Sequence, residues 1–349
     1  MTIPILTHQT RSRQMKRHAK ADPKTVPSLS ADPQRRALTS FLLASCAAFA
    51  LPMEKAFAQT ASHTFRIGYQ KAASTLVLLR ANGNLEKALA PAGVTVKWVE
   101  FPAGPQLLEG LNVGAIDFGY VGEAPPVFAQ AAGADFVYTA YEVPTPQAEG
   151  ILVAKDAAIT NVAQLKGRKI AFNKGSDVHW FIVALLQKHG LTYRDIQPVY
   201  LAPADARAAL TSGSVDAWAI WDPFLAAAEQ QSGARLLVDG RGVVSHHQFF
   251  LTARPYAKAH DDIVKLTLNQ LSAAGQQILA DTRAAALALS PLQGLPPEII
   301  EAGLKHYAHV YKPIDAPVLV EQQRIADAFY ALKLIPRPIR VRDATLVNF

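Results

Sequence analysis

The sequence predicts an α/β chain built as two similar lobes with a ligand cleft between them. Three observations carry this. Short β-branched and aromatic runs alternate with longer helical patterns, the order that builds mainly parallel sheets. Half of the 349 residues are apolar, enough to fill two cores at about 100–200 residues per domain. The segment Leu111 to Phe118, LNVGAIDF, is echoed 99 residues later by Leu210 to Ala217, LTSGSVDA.

Strands are expected at 65–69, 94–101, 118–121, 136–141, 151–154, 169–172, 198–201, 217–221, 235–238 and 249–252, from runs rich in Val, Ile, Phe, Tyr and Trp. Helical periodicity lies between them at 75–90, 177–189 and 204–212. After Thr252 the pattern reads as helix only, at 262–281, 297–311 and 316–332, until Pro336 and Pro338 stop it. In each repeat the phrase reads as a helix end, a glycine cap, an aspartate and a buried strand. At the same offset Gly122-Glu123-Ala124-Pro125 falls on Trp221-Asp222-Pro223-Phe224, two strand ends where an acid and a proline open the next helix. Ile67 to Lys71 likewise resembles Ile170 to Lys174, and a serine follows each, Ser74 and Ser176. An offset near 100 is too long for a solenoid repeat, so two lobes are expected: 59–155 with 250–349, and 156–249.

The charge sits in the first 58 residues. They hold nine Lys/Arg against three acids, which leaves 26 basic and 25 acidic residues in the rest. A nearly neutral body carries no electrostatic footprint for nucleic acid. The same 58 residues have the parts of an export leader: a basic region ending at Arg35-Arg36, an apolar stretch from Ala37 to Leu51 too short to span a bilayer, and Ala56-Phe57-Ala58 as a cleavage signal before Gln59. Cys46, after Leu43-Ala44-Ser45, also resembles a lipoprotein processing site. Cleavage after Ala58 leaves a mature chain without cysteine, which excludes thiol catalysis.

In open α/β sheets ligands sit beyond the carboxyl ends of the strands. Two facing lobes place four such ends around one cleft. Ser74 or Thr75 caps the first helix there and Ser176 the second, and the free N–H groups of a helix start attract anions. Asp177 opens that second helix. Glu123 and Asp222 either complement a helix dipole or accept hydrogen bonds from a ligand hydroxyl or ammonium. Gln70 and Asn173 suit a polar, uncharged cleft, and Gly122 is placed in the site as the strand-end residue before Glu123. Trp221 and Trp180 are the aromatics expected to shape a pocket for an apolar tail. Ser176, Asp177 and His179 are neighbours in sequence, which alone makes no triad. His306 and His309, spaced as on one helix face, have no third metal ligand in view.

At these residues the chain resembles the aliphatic sulfonate-binding proteins of bacterial ABC importers. The matching segments are Ile67 to Lys71, Trp98 to Pro105, Leu111 to Ala132, Pro198 to Ala206 and Ser212 to Ala228. Glu123 stands where that branch commonly has Asp, and Ala72-Ala73 where a glycine is common. The resemblance implies a two-lobed periplasmic binding protein (type II-like), monomeric; for export, Arg35-Arg36 suggests the twin-arginine route, though Ala37-Leu38-Thr39 match that signal only in part and the general secretory route is the alternative. It implies a small sulfonate ligand, an ABC permease in the inner membrane with its ATPase, no cofactor and no catalysis. The alternatives are an enzyme on the same fold, like the thiamine-pyrimidine synthases, and a receptor for taurine or another small anion.

Overall fold

The computed structural model describes residues 63–346. The leader, Cys46 and the cleavage site after Ala58 lie outside the described residues. The first half of the fold contains β1 (His63–Tyr69), α1 (Ser74–Asn82), α2 (Asn84–Leu89), β2 (Val94–Glu100), α3 (Gly104–Asn112), β3 (Phe118–Gly122), α4 (Ala124–Ala132) and β4 (Phe136–Glu142). Then come β5 (Glu149–Val153), β6 (Lys169–Phe172), α5 (Asp177–Lys188), β7 (Gln197–Tyr200), α6 (Pro203–Thr211), β8 (Ala217–Trp221), α7 (Phe224–Ser232) and β9 (Arg235–Asp239). The chain closes with β10 (Gln248–Ala253), α8 (Arg254–Ala259), α9 (Asp261–Ala280), α10 (Thr282–Gln293), α11 (Pro297–Leu304), β11 (Tyr311–Pro313) and α12 (Ala316–Ala331).

The strands form two sheets, in the orders β11-β4-β10-β3-β1-β2 and β7-β6-β8-β5-β9. The repeat seen in the sequence is a repeat of topology. In one sheet β1 pairs in parallel with β2 and β3, and in the other β6 pairs in parallel with β7 and β8. The repeated aspartates have the same task. Asp117 accepts from the Arg66 N–H at 2.8 Å and returns its own N–H to the Arg66 carbonyl, and Asp216 does the same with Lys169. Gly114 and Gly213, with φ of +71° and +73°, make the turn before each aspartate, where a side chain would be strained.

Four expectations are corrected. The sheets are not mainly parallel, because β10 runs antiparallel to β3 and β4, and β5 antiparallel to β8 and β9. A strand that arrives from the other sheet enters against the direction of its hosts. β5, which a boundary at 155 would leave in the first lobe, is hydrogen-bonded in the smaller sheet, from Glu149 opposite Trp221 to Val153 opposite Ala217. The chain therefore crosses between sheets at 143–148 and 240–247, and the Thr145 N–H donates to the Ser245 carbonyl at 3.0 Å to join the crossings. The third correction is the end of α11. The helical pattern expected to reach Tyr311 stops at Leu304, and Tyr311–Pro313 becomes an edge strand on β4. The helix expected over 75–90 is also broken, at Gly83 with φ +64°.

One core cluster lies between α1, α9 and α10 and the larger sheet, and includes Phe65, Ile67, Leu76, Leu79, Leu271 and Leu289. Burial of each of these side chains stabilises the fold by about 1.5–3 kcal/mol. A second cluster runs through both lobes, from Leu107 and Val127 to Phe172, Trp218 and Phe329. The base of the two lobes is therefore continuous, and the cleft opens on the side of the strand ends.

Candidate functional site

The carboxyl ends of β1, β3, β6 and β8 converge. Gln70 follows β1, Gly122 ends β3, Ser176 and Asp177 follow β6, and Trp221 ends β8. These five residues line one polar pocket together with Ala72, Ala73, Gly104, Tyr120, Pro125, Gln248 and Tyr307. Gln70 is fixed by its amide, which donates to the Tyr120 carbonyl at 3.1 Å. Next to this pocket, sharing Gln70 and Ala72, a cavity of about 450 Å³ opens between the lobes. Phe101, Pro102 and Leu295 line it from one side, and Pro203, Trp218 and Phe224 from the other.

Two helix starts face the polar pocket. In α1 the first intrahelical bond runs from Val77 N–H to Ala73 carbonyl, and no side chain caps the helix. Its Thr75 and Leu76 N–H groups are therefore free of helix partners. Asp177 begins α5, and its carboxylate rests on Gly122, where a Cβ would overlap both carboxylate oxygens. Gln248 donates to Asp177 at 3.1 Å, and the Glu123 and Ala124 N–H groups favour its charged form. Burial outweighs these donors and pushes the Asp177 carboxyl up to about 6.

The other expected residues face elsewhere. The Ser74 hydroxyl accepts from the Gln293 amide at 3.0 Å beside a small neighbouring cavity. Thr75 points into the larger lobe and accepts from the Tyr311 hydroxyl at 2.6 Å. Glu123 turns behind the cleft to accept from His247 N–H at 3.1 Å, and burial raises its carboxyl well above the usual range. Asp222 is fully buried, accepts from Ala226 N–H within α7 and contacts His306 Nδ1 at 2.5 Å. The Asn173 carbonyl accepts from the Ser176 hydroxyl at 2.7 Å, while its side-chain oxygen is buried without a partner. Trp180 packs on Phe329, away from the cleft. Of the two acids open between roles, both serve as structural ties.

Ser176, Asp177 and His179 form no relay. His179 Nδ1 accepts from Gly175 N–H at 3.1 Å, so its Nε2–H donates to the Tyr193 hydroxyl at 3.0 Å. His306 and His309 do not share a helix face: both follow the end of α11, with His306 on Asp222 and His309 buried against the Leu304 carbonyl. Among the described residues no group of three or more His, Cys, Asp or Glu is arranged to hold a metal ion. Sequence reasoning missed Gln248 and Tyr307 because they reach the cleft from the first residue of β10 and from the loop before β11, far from the repeat.

The two sheets with exchanged strands and a cleft at facing strand ends define the two-lobed fold of the periplasmic binding proteins. Residues 89–285 match the family described as NMT1/THI5 like. A protein of Escherichia coli strain K12 described as an aliphatic sulfonates-binding protein is 45% identical over 287 residues, 82% of this chain and 89% of that one. A Bacillus subtilis strain 168 protein with the same description is 34% identical over 80% of this chain and 84% of its own length. The structure of the alkanesulfonate-binding protein SsuA from Xanthomonas axonopodis pv. citri bound to MOPS superposes with a TM-score of 0.78 at 46% identity, over 81% of this chain and 97% of that one. The chain belongs to the NMT1/THI5-like family and, within it, to the aliphatic sulfonate-binding proteins.

Proposed function

We propose that this chain is the periplasmic receptor of an ABC importer that captures aliphatic sulfonates as a sulfur source and hands them to an inner-membrane permease with its ATPase. The observation that carries the reading is the junction of a polar pocket, at four strand ends, with a larger, mainly apolar cavity. A sulfonate is a compact anion on an apolar tail, and the site has a place for each. The head lies near the α1 and α5 starts, where Gln70, Ser176 and Trp221 stand, and the tail lies between Phe101 and Trp218. The named binding roles of relatives at 45% and 46% identity support the same reading. The leader in residues 1–58 takes the protein across the inner membrane, the lobes divide at the two crossings, and no step of the function needs catalysis.

A melting panel tests this. Ligand at 100 times its Kd adds about 2.7 kcal/mol of stability. Butane-, hexane- and octanesulfonate are expected to raise Tm clearly, and nitrate, bicarbonate and a thiamine pyrimidine are not. Equal shifts with all anions, or none with any sulfonate, would reject the ligand class.

A further inference from the structure

The side chain of Asp177 crosses the cleft. It belongs to α5 in the smaller lobe, yet its carboxylate meets the larger one: Gly122 at the end of β3, the Gln248 amide of β10 at 3.1 Å, and the N-terminus of α4. That helix end has few donors. No side chain caps it, and Pro125 and Pro126 have no N–H, so the groups free of helix partners there are the N–H of Glu123 and of Ala124. Both favour the charged form of Asp177, although Oδ1 accepts no well-aligned hydrogen bond. Asp177 is only 7% exposed. The other groups that face it carry little charge. Burial pushes Glu123 and Glu149 toward their neutral forms and raises the Tyr307 phenol well above its usual range. His246, whose Nε2 lies 3.8 Å away, is kept neutral down to about pH 4. Asp177, pushed up only to about 6, is the ionised group of the pocket above pH 7.

An ionised carboxylate set on a helix N-terminus from the facing lobe makes the contact that a bound anion would make. The polar pocket around it encloses about 20 Å³, room for one water and not for a sulfonate head. Resting on the receptor reading above, we propose that Asp177 is an internal competitor of the ligand: when no sulfonate is bound its carboxylate holds the lobes together at the start of α4, and a sulfonate enters by displacing it as the cleft opens. The carboxylate can be displaced because its fit is partial, with Oδ2 on Gln248 and Oδ1 without a full hydrogen bond. A sulfonate brings three oxygens to the same donors, and two anions at contact distance repel, so one must leave. The latch lowers the apparent affinity by the fraction of molecules in the open, binding-competent form.

Calorimetric titration with hexanesulfonate above pH 7, together with small-angle scattering, tests it on Asp177→Ala and Asp177→Asn. Both variants are expected to bind ten-fold or more tightly than the unchanged protein, since the ligand no longer competes with a charged side chain. Without ligand both should have a larger radius of gyration than the unchanged protein, and hexanesulfonate should bring it down. A residue needed only for the fold would lower the melting temperature and would not raise affinity. Asp177→Asn keeps the size of the side chain and carries the test alone if Asp177→Ala does not fold. Weaker or unchanged binding in the folded variants, or ligand-free variants as compact as the unchanged protein, would overturn the inference and leave the sulfonate receptor in place. If no sulfonate binds any of these proteins, the receptor reading fails, and the scattering comparison alone decides whether Asp177 closes the cleft.

Discussion

Gly122 is the residue where fold and site meet most tightly. Its Cα faces the Asp177 carboxylate with no room for a side chain. Gly122→Ala is expected to cost about 1–3 kcal/mol through overpacking and to crowd the polar pocket it lines, with sulfonate affinity down at least ten-fold. Urea unfolding and calorimetry read the two effects separately. Glu142 makes a second prediction. It is buried, and although it accepts from the Tyr120 hydroxyl at 2.6 Å and His309 N–H at 2.7 Å, burial pushes its carboxyl up to about 7. The folded state thus holds this proton more tightly than the unfolded chain, so the associated stability is present below about pH 4.5 and is lost as pH rises through about 7. Glu142→Gln should reduce the wild-type difference in unfolding free energy between pH 5 and pH 8 by on the order of 2 kcal/mol. An unchanged difference would count against a raised carboxyl. His179 provides a direct spectroscopic reading. Enclosed by Phe128, Phe172 and Phe329, it is held neutral, its pKa lowered by burial to about 3. Its imidazole nitrogens should show the Nε2–H tautomer and no titration between pH 5 and pH 8.

At the level of elements the repeated aspartates allow a comparison within one molecule. Both tie a helix–strand turn to the neighbouring parallel strand, but Asp117 also takes two side-chain contacts from Arg66, at 2.9 and 2.6 Å, and is far less exposed than Asp216. Asp117→Ala should therefore cost about 2–3 kcal/mol and Asp216→Ala about 1 kcal/mol or less, measured by urea unfolding. This repeat was legible in the sequence because Gly and Asp have fixed tasks in such turns. Strand positions were legible for a similar reason: Val, Ile and aromatic runs such as Lys169–Phe172 and Ala217–Trp221 have little alternative to a buried strand. The direction of β5 and β10 was not, since it follows from which sheet each joins. Nor was β11, whose three residues Tyr311-Lys312-Pro313 become a strand only through the edge that β4 offers. In the cleft, Gln70, Gly122, Ser176, Asp177 and Trp221 could be found from strand ends alone. Thr75, Glu123 and Asp222 sit at equally good positions and still turn away, because Tyr311, His247 and His306 arrive from distant segments to bind them.

For the whole molecule, the two lobes share a continuous core at their base and are joined by crossings that bond to one another, an arrangement suited to hinged closure over a ligand. Mass spectrometry of the protein recovered from the periplasm should show a chain beginning at Gln59, and an acylated chain beginning at Cys46 would contradict the proposed processing. The central claim is that the junction of polar pocket and apolar cavity holds a sulfonate. A crystal structure of the mature protein grown with hexanesulfonate tests it most directly. The account predicts the sulfur beside Gln70 and the α1 start, with the alkyl chain running between Phe101 and Trp218. A sulfonate bound elsewhere on the molecule, or an empty cleft at saturating ligand, would contradict it.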